Sequence, residues 1–221
     1  MARLTLRAEN LDYSEGRIQQ KGMGDQVLCG RCNSFLGREY VIEYRDWARW
    51  GMLVLRHCPP AADFVRATVL ARKPLRFLKQ CVAMILCSND PAFVDGQPAL
   101  RKFVLDPREK YLPPDLDVYL TLYRSKKARR VGIMGGANLQ THTVGLFSEV
   151  AFPPFGVLFV LASSPEDRFG RITEFRHCDL DETRDVQLDL LIGEAHTPYP
   201  GDYRTRAQVE REANRDLEDS A

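Results

Sequence analysis

In Asp117-Val118-Tyr119-Leu120-Thr121-Leu122-Tyr123 the apolar spacing becomes two: Val118, Leu120 and Leu122 share one side, and Tyr119, Thr121 and Tyr123 the other. Successive side chains of an extended chain point to opposite faces, so this pattern predicts a half-buried antiparallel strand. Further strands are predicted at Arg130–Met134, Gln140–Val150, Phe155–Ala162 and Val186–Ile192, with Gly135-Gly136 and Pro153-Pro154-Phe155-Gly156 as turns. A parallel crossover needs about ten or more connecting residues. The short connections here therefore predict an antiparallel β-meander, with Phe152-Pro-Pro-Phe155-Gly156 as a packed aromatic turn.

Upstream of residue 117 the period is helical. Leu36, Tyr40, Tyr44 and Trp47 recur every three or four residues along an otherwise charged segment, which Pro59-Pro60 breaks. A second helix begins after Lys73, with Pro74 in its first turn and Leu75, Leu78, Val82, Ile85 and Leu86 on its core face, and stops at Ser88-Asn-Asp-Pro91. A shorter helix is predicted over Ala99–Val104. The expected fold class is α+β, a zinc-knuckle or treble-clef-like helical front followed by the meander. Residues 1–60 would hold the candidate zinc knuckle and an amphipathic helix, 61–116 a helical segment, 117–200 the antiparallel β region and 201–221 a charged tail.

Composition narrows the class of protein. The chain has 221 residues, 44% hydrophobic and 28% charged, which excludes wholesale disorder and a collagen-like fibre. The formal charge of +1 hides an asymmetry: residues 1–130 carry 23 Lys and Arg against 14 Asp and Glu, a net of +9, and the remainder 8 against 16, a net of −8. Arginine supplies 24 of the 31 basic residues, and its planar fork suits phosphate. A basic front of this kind fits DNA or RNA as a partner, or salt bridges between the two halves. The first ten residues lack the apolar core of a secretory signal, and the apolar run Phe155–Ala162 is about half a membrane span. A cytoplasmic protein with no membrane partner and six reduced cysteines is expected.

Val27-Leu-Cys29-Gly-Arg-Cys32-Asn33-Ser-Phe-Leu36-Gly37 carries the one motif with chemistry in it. Two cysteines two residues apart, with glycine between them, can turn both thiolates toward one ion, which is half of a tetrahedral zinc site. The following helix places Cys32 in its first turn, where the helix dipole favours a thiolate. A thiol redox reading of the same spacing wants a βαβ context, which the neighbourhood does not offer, and two ordinary buried cysteines are the remaining alternative.

Leu28-Cys29-Gly-Arg31-Cys32-Asn33-Ser-Phe-Leu-Gly37 resembles the second cysteine pair of the HNH endonucleases, in the subgroup where Asn follows the pair at once and Gly stands four residues later. The resemblance covers about residues 21–50. It implies Cys29 and Cys32 as ligands of a structural Zn2+, and Asn33 as the polar residue at the helix head that orients the site or assists a catalytic divalent metal. In that family an upstream His activates water, and a second Cys-x-x-Cys pair completes the zinc site. Here neither His nor Cys precedes Cys29, and Gly37 stands where many members carry a second metal-binding His. Asparagine alone has no basic nitrogen with which to activate water. Three explanations follow: the missing half lies upstream of residue 1, the nuclease has degenerated to a zinc-stabilised binding module, or a partner protein or another part of the fold supplies the ligands. The competing reading is a non-enzymatic interaction scaffold with a structural knuckle.

Other candidates are less defined. His57-Cys58 ends the first helix, where either residue could complete a zinc site or His57 could cap the helix. Arg31, Arg38, Arg45, Arg49 and Arg56, at intervals of seven, seven, four and seven, keep to one helical face. They either track a phosphate backbone or, with Glu39, Glu43 and Asp46 interleaved, form a solvated face. Lys126-Lys127-Ala-Arg129-Arg130 reads as a charged hairpin tip, Cys81 and Cys87 as core residues, and His177-Cys178 as a loop among acids. His142 and His196 have no partner identifiable from sequence.

Overall fold

The computed structural model describes residues 3–5, 28–125, 128–138, 143–161 and 170–194, with positions 210, 211 and 214 of the C-terminal tail. The elements are β1 (Arg3–Thr5), α1 (Gly30–Glu39), α2 (Val41–His57), β2 (Phe64–Arg72), α3 (Pro74–Cys87), α4 (Pro91–Asp95), α5 (Pro98–Leu105), β3 (Leu116–Tyr123), β4 (Arg129–Asn138), β5 (Thr143–Phe152), β6 (Phe155–Leu161), β7 (Gly170–Arg171) and β8 (Arg184–Gly193). A 3-10 turn at Thr173–His177 precedes β8. The fold is α+β.

The strands form one mixed sheet in the order β1-β2-β8-β3-β6-β5-β4, with β7 on β3. The expected meander holds for β4, β5 and β6 alone, each antiparallel to the next. From β6 the order returns to β3, then crosses to β8, which pairs parallel with β3 only at Leu122–Ile192 and Tyr123–Gly193. Gly135 and Gly136, read as a turn, sit inside β4 opposite Leu146 and Gly145. The tail from residue 201, His142 and His196, and Lys126 and Lys127 lie outside the described residues.

The segment 61–116, expected to be helical, contains the nine-residue strand β2. Its Val65, Ala67 and Val69 are buried in strict alternation against β8, a period of two that Arg66 and Thr68 do not interrupt. On its other side β2 pairs parallel with β1, so β1, the α1–α2 pair and β2 make a parallel crossover at this edge. At its end Ala71 adopts φ 51°, in the left-handed region, and its N–H donates to Asp185 Oδ1 at 2.8 Å.

Helix α2 packs on β2 and α3 on β5 and β6, with α5 against α3. The predicted helix from Cys32 to Pro59 is two helices, because Tyr40 leaves helical geometry at φ −125°, ψ −28°. No glycine or proline marks the break. Tyr40 and Leu36 are buried there, and the guanidinium of Arg76 in α3 donates to the Glu39 carbonyl that ends α1. Between α2, α3 and the sheet lies an aromatic cluster: Trp47 stacks on Phe77 at 4.2 Å, and Trp50 and Phe155 close around them. Burying such side chains contributes roughly 4–6 kcal/mol each before entropy is counted. Gly51 is where α2 passes the β5–β6 turn, and a Cβ there would lie 2.8 Å from the Phe155 ring. That turn, with its cis Pro153–Pro154 bond, is packed as expected.

Two buried charges tie the layers. Lys79 of α3 is fully buried, and its three N–H donors meet the carbonyls of Phe103, of Asp106 at 3.0 Å and of Glu109 at 2.7 Å. It thereby satisfies the end of α5 and the turn after it. Arg129, read as a hairpin-tip residue, instead grips the fully buried Glu149 on the neighbouring strand with bonds of 2.6 and 2.7 Å.

Candidate functional site

Cys29 is the residue before α1. Its extended backbone (φ −67°, ψ 157°) and sulfur form the cap of the helix, with Sγ accepting from the Cys32 N–H at 3.4 Å. One helical turn brings Cys32 round to the same side, and the two Sγ atoms stand 3.2 Å apart. Cys29 is exposed and Cys32 partly so. The Cys32 backbone N–H, and after it the Cys32 thiol, hold the Cys29 thiol below its ordinary value. The hydrogen bond to Cys29, with burial second, pushes Cys32 up. Among the described residues nothing stands over the turn between them: a Cβ on Gly30 would meet no such atom within 4 Å.

A tetrahedral Zn2+ with bonds of about 2.3 Å sets its sulfurs about 3.8 Å apart, and a disulfide bond is about 2.05 Å. The observed 3.2 Å lies between these values, so a small side-chain rotation reaches either. The pair fits two corners of a tetrahedral zinc site. Among the described residues no group of three His, Cys, Asp or Glu side chains converges, so further corners are not found there.

Cys58 and His57 do not supply them. They close α2, a helix of 17 residues and about 25 Å, at the end away from Tyr40. Cys58 is buried, and burial pushes its thiol up. His57 Nδ1 lies 2.8 Å from the Leu53 carbonyl, as a helix-capping residue does. Cys81 is buried in the core, Cys178 is buried beside Arg184 at 3.2 Å, and His177 pairs with Glu174 at 3.1 Å. Asn33 is exposed in the first turn of α1, its N–H donating to the Cys29 carbonyl at 3.0 Å. Among the described residues no group of three metal-ligating side chains gathers around it.

Comparison with protein-family models, curated proteins and solved structures gives no match.

The break at Tyr40 divides the arginines between helices: Arg31 and Arg38 on α1, Arg45, Arg49 and Arg56 on α2. Arg38 pairs with Glu39 at 3.0 Å. Asp46 receives Arg45 at 3.3 Å, Arg49 at 3.4 Å and Arg72 at 3.4 Å, so one carboxylate faces three guanidinium groups. Arg72, at the end of β2, was not among the sequence candidates. Its signal would have been the strand itself, which delivers it to the flank of α2. Arg31 and Arg56 are exposed and form no ion pair with a described residue. No helix among the described residues is long and apolar enough to cross a membrane.

Proposed function

We propose that this protein is a nucleic-acid-binding module related to the HNH endonucleases, stapled by a structural Zn2+ that takes two of its ligands from Cys29 and Cys32. The convergence of both sulfurs at the exposed head of α1 carries this reading, because that is where a zinc knuckle needs them. The remaining ligands come from outside the described residues or from a partner protein. The gathering of Arg45, Arg49 and Arg72 around Asp46 on the flank of α2 supports phosphate binding. No hydrolytic step is assigned, since no His precedes Cys29 in the sequence to act as the general base the resemblance calls for.

Two measurements test the reading. Zinc analysis of reduced protein should give one equivalent per chain, lost in Cys29→Ser; a metal-free protein that is fully folded overturns the zinc assignment. Duplex DNA and RNA should be retained at low salt, with affinity falling steeply toward physiological salt and Arg45→Ala with Arg49→Ala shallowing that slope by about two phosphates. Absence of binding at low salt leaves an interaction scaffold, with its knuckle used only as a staple.

A further inference from the structure

We propose that the Cys29–Cys32 pair is also a two-electron thiol–disulfide couple that reduces small, negatively charged disulfides. Four observations carry the idea. The sulfurs are 3.2 Å apart, so closing to a bond of about 2.05 Å asks for little more than 1 Å of movement. Cys29 is exposed with open space over Gly30, which leaves a line of approach to its sulfur. No third metal-ligating side chain among the described residues ties the pair up. Finally, α1 and α2 lie in the chain between the parallel strands β1 and β2, a βαβ neighbourhood in which such a spacing is used for redox chemistry.

The chemistry balances within the pair and its substrate. The Cys29 thiolate attacks one sulfur of the disulfide, forming a mixed disulfide and expelling one thiolate, which takes a proton from water. Cys32 then loses its proton to solvent and attacks Cys29 Sγ, forming the Cys29–Cys32 bond and releasing the second thiolate. The protein dithiol loses two electrons, and one disulfide becomes two thiols. Arg31, exposed between the two cysteines and without an ion pair to a described residue, favours a carboxylate-bearing substrate.

The test uses full-length, fully reduced protein with a chelator present and glutathione disulfide as the oxidant. The wild-type chain should consume one equivalent, release two of glutathione and lose two hydrogens in mass, with the new bond mapped to Cys29 and Cys32. Cys32→Ser should stop at a glutathione adduct on Cys29, and Cys29→Ser should react far more slowly. Arg31→Glu should slow glutathione disulfide roughly threefold to tenfold while accelerating the cationic disulfide cystamine. A wild-type protein that keeps a stable adduct, or a Cys29→Ser protein that reacts as fast as Cys32→Ser, overturns the proposal. The couple belongs to the metal-free pair, because bound Zn2+ and the disulfide exclude each other at the same two sulfurs; the metal content of the reduced protein decides the zinc reading separately.

Discussion

Replacing Lys79 by Met removes a buried ammonium while keeping an unbranched chain of similar length. Three backbone carbonyls lose their donor: Phe103, Asp106 and Glu109, at the end of α5 and just beyond. The ring of Phe103, 4.1 Å from Nζ, loses its cation as well. A hydrogen bond to a charged group contributes about 1.5–3 kcal/mol, so three give a gross loss of about 5–9 kcal/mol. Against this stands the cost of holding a charge away from water. Burial draws Lys79 down from 10.5 to about 8, a difference worth roughly 3 kcal/mol. The balance is a loss of about 2–6 kcal/mol at pH 7, readable in urea through the fluorescence of Trp47 and Trp50, both buried in the core. The pH dependence has a definite sign. Between about pH 8 and 10.5 the unfolded chain holds a proton that the folded one has released, so wild-type stability gains on Lys79→Met as pH rises through that window. A variant within 1 kcal/mol of the wild type at pH 7, or a difference that shrinks above pH 8, would refute this account.

Two further outcomes follow from packing. Gly51→Ala places a methyl 2.8 Å from the buried ring of Phe155 and 2.9 Å from Pro154. The strain should outweigh the gain in helix propensity and cost about 1–3 kcal/mol, with a matching fall in thermal midpoint; a stabilised variant would mean that the turn yields. Glu149→Ala leaves Arg129 facing a buried site without its bidentate carboxylate and should cost about 3–5 kcal/mol. The double change Arg129→Met with Glu149→Ala should recover part of that in thermal melts, and no recovery would show that the pair is not the source.

What could be read from the chain depended on how local its cause was. Strands β3, β5 and β8 announce themselves by alternation, β6 by its continuous apolar run, and α3 by its apolar stripe and Pro74. β2 was equally visible in Val65, Ala67 and Val69, but it stands between two helices and reads easily as their continuation. The break at Tyr40 has no local mark, because it comes from burying Tyr40 and from Arg76, which lies 37 residues from the Glu39 carbonyl it binds. Lys79 looks like a surface residue on an otherwise apolar helix, since the carbonyls that accept its charge come 24 to 30 residues later. Arg129 resembles a hairpin tip until the sheet order shows that β3 turns away from β4. The Cys-Gly-Arg-Cys turn was legible because its geometry is confined to four residues. Its βαβ surroundings were not, because β1 meets β2 only through the folded sheet.

The joint between β3 and β8 has a mechanical meaning. Only two residue pairs stitch the strands carrying α1 and α2 to the four-stranded wing beyond, so backbone hydrogen bonding gives little resistance along that line. Cohesion across it falls mainly to the continuous apolar core, in which Trp47 stacks on Phe77, together with the Arg124 guanidinium on the Pro59 and Pro60 carbonyls. The molecule is thus two stiff plates glued by an oily washer, and its first partial opening would part the plates there and leave each ladder intact.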